Sequence, residues 1–145
     1  MVLLNGLLLQ VKEEEMKILV GYDVTNSAKD ALKLAKSHAK AFGASLEVVT
    51  SMQTGTEADR KEIEQAERGL DYAKTLFKED DIACNTHLLI RGLSAGEDLV
   101  EFAKENQVDE IILGVKRRSK VGKLLMGSTA QYVVLQADCP VVTVK

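Results

Sequence analysis

Tryptophan is absent from this chain, and aromatic residues make up only 4% of it. That scarcity argues against a nucleic-acid binder that stacks bases on aromatic platforms. An excess of positive charge is missing too. The formal net charge is −3, so no global field draws the protein to nucleic acid or to an anionic membrane. Cysteine is limited to Cys84 and Cys139. They stand far apart and outside any CxxC pair, and two thiols make neither a disulfide framework nor a four-ligand zinc site. They read as small buried hydrophobes in a reducing compartment. The apolar stretch from Met1 to Val11 is too short to span a bilayer. It also lacks the basic start and small-residue cleavage site of a signal peptide. The expectation is a cytoplasmic protein with neither a nucleic-acid nor a membrane partner.

What is present is an ordinary globular balance. The 145 residues are 46% hydrophobic and 28% charged, enough for one domain with a proper core. Met16 directly precedes the first convincing strand. Residues 1–15 are therefore expected to be an N-terminal extension and residues 16–145 the domain. The alternative is that the first 15 residues add a strand or an interface segment.

Strand and helix patterns alternate along the chain. Lys17 to Tyr22 is a short apolar run ended by Asp23. Ala28, Ala31, Leu32, Ala35, Ala39 and Phe42 then recur at helical spacing, with Gly43 as the stop. Leu46 to Val49 reads as a second strand, and Thr54-Gly55-Thr56 as part of a loop. Ile63, Ala66, Leu70, Ala73 and Phe77 line one face of a long helix. Thr86 to Ile90 is a third strand. Ser94 and Glu97 have capping-box spacing ahead of a helix through Leu99, Phe102 and Ala103. Glu110 to Gly114 is a fourth strand, Ser128 to Gln136 a helix, and Val141 to Val144 a fifth strand introduced by Pro140. Strands separated by helices predict an α/β fold: a five-stranded parallel sheet with helices on both faces. The near-continuous apolar character of strands one and four suits strands buried on both sides.

In open sheets of this kind, ligands bind beyond the carboxyl ends of the strands where the winding reverses. With strand order 3-2-1-4-5, Asp23 after strand one and Gly114 at the end of strand four face each other across one crevice. The segment from Gly114 to Thr129 contains Gly114, Gly122 and Gly127 together with Lys116, Arg117, Arg118, Lys120 and Lys123, and it opens a helix at Gly127-Ser128. Glycine lets backbone N–H groups approach a phosphate, and a helix N-terminus adds free donors and the positive end of its dipole. The hydroxyls of Ser128 and Thr129 can add hydrogen bonds. This is the chemistry of an anion site, suited to a nucleotide polyphosphate. The same cations also fit a solvated loop, Ser128 a simple helix cap, and Asp23 a plain strand end.

On these residues the chain resembles the universal stress protein family. The nucleotide-binding branch carries Gly, two residues, Gly, nine residues, then Gly-Ser or Gly-Thr after its fourth strand. Here Gly114 is followed by Arg117 at the second glycine position, and nine residues later by Gly127-Ser128. Ile18-Leu19-Val20-Gly21-Tyr22-Asp23 resembles the opening of the family, and Cys139-Pro140-Val141-Val142-Thr143-Val144 its closing strand. The resemblance runs from about Met16 to Lys145. It implies a Rossmann-like fold of the adenine nucleotide alpha hydrolase type, a stress-response role, and ATP or AMP as ligand, with or without Mg. The candidate contacts are Gly21, Asp23, Ser51, Gly114, Arg117, Gly127, Ser128 and Thr129. Arg117 is the departure. In an ordinary conformation its guanidinium can grip phosphates, whereas a position requiring φ > 0 makes it a misfit.

Other readings fail on spacing. Gly122-Lys123 lacks the flanking glycine and the Ser/Thr of a P-loop. A receiver domain needs an acidic cluster after strand one and an aspartate ending strand three, where this chain has a lone Asp23 and Ile90-Arg91-Gly92. A dinucleotide-binding GxGxxG is replaced by Gly21-Tyr22-Asp23-Val24-Thr25-Asn26. His38 and His87 read as structural, and Arg91 as a surface residue. No nucleophile–base–orienter set stands out, so at most slow ATP hydrolysis is expected. Two functions remain. One is a nucleotide-responsive regulator whose segment 114–128 cradles phosphate and presents a surface to an unknown protein partner. The other is a nucleotide-independent dimeric interaction module. The apolar final strand at a sheet edge favours a homodimer paired through it.

Overall fold

The computed structural model describes residues 2–4, 7–9, 15–23, 25–115 and 126–145. Lys116, Arg117, Arg118, Lys120 and Lys123 lie outside the described residues, as does Gly122.

Five strands form the main sheet: β3 (Lys17–Gly21), β4 (Ser45–Met52), β5 (Cys84–Ile90), β6 (Glu110–Gly114) and β7 (Val141–Val144). Before them, β1 (Val2–Leu4) and β2 (Leu7–Leu9) pair antiparallel with each other as a separate two-stranded sheet. The main sheet runs β5-β4-β3-β6-β7 with every pair parallel. Counted along the five strands, this is the expected order 3-2-1-4-5. The winding reverses between β3 and β6.

Successive side chains of a strand point to opposite faces, and β3 shows the consequence. Ile18 and Val20 face α1 (Asn26–Phe42) and α2 (Arg60–Lys78), with Leu32, Leu70 and Phe77 in the same cluster. Leu19 faces the other way, toward Leu99, Phe102 and Val133 of α3 (Ala95–Glu105) and α4 (Ser128–Gln136). Both faces of the central strands are thus covered. Small residues let α1 lie close to the sheet: Ala28, Ala31, Ala35 and Ala39 are all buried. Phe42 departs from the expected stripe and is 57% exposed. It ends the helix and meets the His38 ring edge-on at 5.5 Å. Gly43 follows with φ 63, a left-handed conformation that glycine adopts without penalty.

The helix starts are defined by side chains. Thr25 Oγ1 accepts the Ala28 N–H at 3.3 Å, and Ser94 Oγ accepts the Glu97 N–H at 3.4 Å. Ahead of α2 a 3-10 turn, Glu57–Asp59, carries a complete reciprocal cap between Thr56 and Asp59. This cap begins at Thr56, the last residue of the stretch read as a loop. Strands β4 and β5 are longer than expected, reaching Met52 and starting at Cys84. Their added residues are mostly polar, and the ladder pairs them: Thr50 with Leu88, Ser51 with Leu89, Asn85 with Glu47.

The histidines are structural, as expected. His38 Nδ1 lies 2.6 Å from Glu110 Oε1, and His87 Nε2 lies 2.6 Å from Glu47 Oε2. Cys84 and Cys139 are both free and half-buried. Burial raises the Cys84 thiol pKa to about 11. No helix among the described residues is long and apolar enough to cross a membrane.

Candidate functional site

The carboxyl ends of β3, β4 and β6 open onto one crevice of about 240 Å³. Gly21, Asp23, Ser51, Gly114, Gly127, Ser128 and Thr129 all line it. These are seven of the eight candidate contacts; Arg117 is outside the described residues. The topology explains the gathering. In a parallel sheet every helix starts at the carboxyl ends of the strands, so the first turns of α1, α3 and α4 converge there, contributing Ala28, Ala95 and the segment Gly127 to Ala130.

The two conspicuous glycines of the crevice differ in kind. A Cβ on Gly114 would lie 2.5 Å from the carbonyl carbon of Ser27 and 2.7 Å from the Ala28 nitrogen. Gly114 is glycine because the first turn of α1 rests against the end of β6. Sequence reasoning gave it a phosphate contact, and helix packing is the constraint visible in the fold. Gly127 has φ −64 and ψ 162, which any residue adopts, and a Cβ there would meet nothing within 4 Å among the described residues. It is the N-cap of α4, so Ser128 is the first helical residue rather than the cap. Gly127 makes no side-chain cap bond. The N–H groups of Ser128, Thr129 and Ala130 belong to the first turn, which has no intrahelical acceptors for them. They stand at the positive end of the helix dipole, beside space that no other described residue occupies.

Asp23 is exposed, and its Oδ1 accepts from Thr25 N at 3.1 Å and Thr25 Oγ1 at 2.7 Å. This Asx-type turn ties the end of β3 to the cap of α1. Tyr22 was not singled out from sequence, yet it is buried and lines the crevice. Its N–H donates to the Val49 carbonyl at 2.9 Å, and its own carbonyl accepts from Thr50 Oγ1 at 2.6 Å. Burial, with Tyr72 and Asp23 nearby, raises the pKa of its phenol, so the ring stays neutral near neutral pH. Val49, Leu99 and Leu113 make the floor apolar.

Ser51 Oγ donates to Asp98 Oδ2 at 2.7 Å. Arg91 is exposed, in keeping with its reading as a surface residue, and its Nε donates to Asp98 Oδ1 at 2.6 Å and its Nη1 to Glu105 Oε2 at 3.1 Å. These carboxylates raise the pKa of the Arg91 guanidinium, Asp98 most strongly. Asp98 itself is fully buried. Nothing in a lone Asp within a helical stripe announces that role from sequence; an Asp on the otherwise apolar face of Leu99 and Phe102 was the available signal. Among the described residues no group of three His, Cys, Asp or Glu side chains is placed to hold a metal ion.

The chain matches known proteins over this whole arrangement. Residues 16–145 match the sequence model of the Universal stress protein family. A universal stress protein of Thermus aquaticus is 33% identical over 137 residues, covering 88% of this chain and 97% of the relative. A solved universal stress protein from Archaeoglobus fulgidus superposes with a TM-score of 0.82 at 33% identity, over 90% of this chain and 98% of that one. A universal stress protein from Archaeoglobus fulgidus in complex with dAMP superposes with a TM-score of 0.75 at 30% identity, over the same shares. With the family's sequence pattern over residues 16–145 and its fold in the main sheet and helices, the chain belongs to the universal stress protein family.

Proposed function

We propose that this chain binds an adenine nucleotide in the crevice, ATP or AMP, and acts as a nucleotide-responsive regulator in the cytoplasm rather than as an efficient enzyme. The observation that carries the reading is the start of α4. Three backbone N–H groups without intrahelical acceptors stand beside a place that no other described residue fills and where Gly127 contributes no side chain. That is where a phosphate would sit. The base would extend along the apolar floor of Val49 and Leu99 toward the end of β4. The dAMP complex of the relative from Archaeoglobus fulgidus supports the choice of an adenine nucleotide. An accompanying Mg²⁺ would be held mainly by the phosphates themselves.

Isothermal titration of the nucleotide-stripped protein with Mg-ATP, and with AMP alongside, tests this. The expected result is saturable heat at about one site per chain and a thermal midpoint that rises with ligand concentration. No heat and no stabilisation at millimolar nucleotide would overturn it. Such a result would leave a nucleotide-independent interaction module.

A homodimer is part of the same proposal. Strand β7 closes the sheet on one side and pairs only with β6 among the described residues. Val141, Val142 and Val144 are only partly buried there. Pairing two such edges about a twofold axis would satisfy both. Sedimentation at micromolar concentration should report a dimer, and a monomer would count against this pairing.

A further inference from the structure

Behind Ser51, which walls the β4 end of the crevice, lies a carboxylate with no solvent exposure. Both Asp98 oxygens are committed: Oδ1 to Arg91 Nε at 2.6 Å and Oδ2 to Ser51 Oγ at 2.7 Å. Arg91 Nη2 also reaches the Asp98 carbonyl at 3.4 Å, and Glu105 holds Nη1. A buried carboxylate is tolerated only when paired and hydrogen-bonded in this way. Opposite a guanidinium, Asp98 acts as an acceptor at both oxygens, and a hydroxyl has one proton to give. The proton of Ser51 is therefore spent on Asp98. What the Ser51 oxygen offers the crevice is a lone pair.

We propose that Asp98 is a positioning residue that makes Ser51 an obligate acceptor, so that this end of the crevice selects a heterocycle bearing an exocyclic amine over one bearing an oxo group. The inference rests on the nucleotide reading given above. With the phosphate at α4 beside β6, Ser51 at the end of β4 is two strands away. At about 4.8 Å per strand that is roughly 10 Å, a distance at which the base of a mononucleotide arrives. An amine edge there donates to Ser51 Oγ. An oxo group there meets a lone pair with a lone pair. A site committed to one hydrogen-bonding sense rejects the opposite one.

The test is the ratio of two affinities, AMP against inosine monophosphate, which carries an oxo group where AMP carries its amine. The full chain should bind AMP tighter by about tenfold, the worth of roughly one hydrogen bond. Ser51→Ala should bring the ratio close to one. Asp98→Asn should reverse it. Arg91 Nε–H needs the amide oxygen, which turns the amide N–H toward Ser51 and frees the Ser51 proton to point into the crevice. A merely structural role for Asp98 would weaken both ligands alike and leave the ratio unchanged. If Asp98→Asn fails to fold, Ser51→Ala decides alone: a collapsed ratio supports the proposal and an unchanged ratio overturns it. If the unaltered protein binds both nucleotides equally, this inference fails while the nucleotide reading stands. If it binds neither, both fail.

Discussion

At the β4 end of the crevice the polar groups are side chains already bonded to one another. At the α4 end they are backbone N–H groups that the helix leaves without acceptors. Ser51, Asp98, Arg91 and Glu105 form a chain of hydrogen bonds that is complete without a ligand. Among the described residues, Gly127, Ser128 and Thr129 form no such chain and have nothing in front of them. The first arrangement fixes direction: each proton is assigned, which under the proposal above would let this end tell one base edge from another. The second supplies attraction with little direction, which suits a phosphate whose oxygens are all alike. Direction at one end and charge at the other would divide recognition of the proposed nucleotide between them.

The comparison breaks most visibly at the glycines. Gly114 and Gly127 occupy equivalent-looking places in the sequence pattern, but their surroundings differ. Gly114→Ala forces a Cβ to within 2.5 Å of the Ser27 backbone, and backbone cannot swing aside as a side chain can. The expected cost is about 3 kcal/mol, at the upper end for overpacking, read as a lowered urea midpoint with no ligand present. A midpoint unchanged from the parent would mean that α1 is free to lift away from β6, and that Gly114 serves the ligand after all.

Gly127→Asp should separate stability from binding. Aspartate is a better N-cap than glycine by a few tenths of a kcal/mol and favours the positive end of the helix dipole. Among the described residues its side chain would meet nothing, and it would take up the same N–H groups that the proposed phosphate would need. The expected outcome is a thermal midpoint equal to or slightly above the parent and an ATP affinity reduced by more than tenfold, a loss above about 1.4 kcal/mol. Undiminished ATP affinity would remove the phosphate from the start of α4.

The same contrast decides what the sequence makes legible. The α4 end is readable because its devices are residue types with a local meaning: Gly127 before Ser128, a helix start, a loop rich in glycine and cations. The helix from Ser128 to Gln136 and the strand from Val141 to Val144 fall where their patterns put them. The β4 end is not readable in that way. Asp98 meets Ser51, 47 residues away, only because α3 packs over β4. Buried Glu47 finds His87 across a ladder 40 residues distant. Polar residues such as Thr50, Ser51 and Asn85 hid the true lengths of β4 and β5, since a periodicity of apolar residues cannot see a strand whose polar members find partners. Arg91 is at the surface as read, but its pairing with Asp98 is equally invisible in the spacing. Pairings across tertiary distance leave no spacing behind, whereas turns, caps and glycine loops do.

The smallest expected effect sharpens the contrast through pH. Side-chain bonding at the β4 end continues into the loop that leaves the strand. Asp59 Oδ2 accepts from Thr54 Oγ1 at 2.8 Å, Thr56 N at 2.9 Å and Thr56 Oγ1 at 2.9 Å. These donors, the Thr54 hydroxyl foremost, lower the Asp59 pKa below its usual 3.8. A carboxylate whose folded pKa is depressed contributes stability that is present above the unfolded pKa and is lost as pH falls through the folded one. The bonds are exposed, so the contribution is small. Asp59→Asn removes the titration while keeping an acceptor in place. The stability difference between parent and Asp59→Asn should therefore be largest near neutral pH and shrink only below the usual carboxylate range, followed by thermal midpoints down to about pH 2. A difference constant across that range would show that the threonines do not depend on the charge. The ordered bonding that assigns protons at Ser51 would then stop at the end of β4.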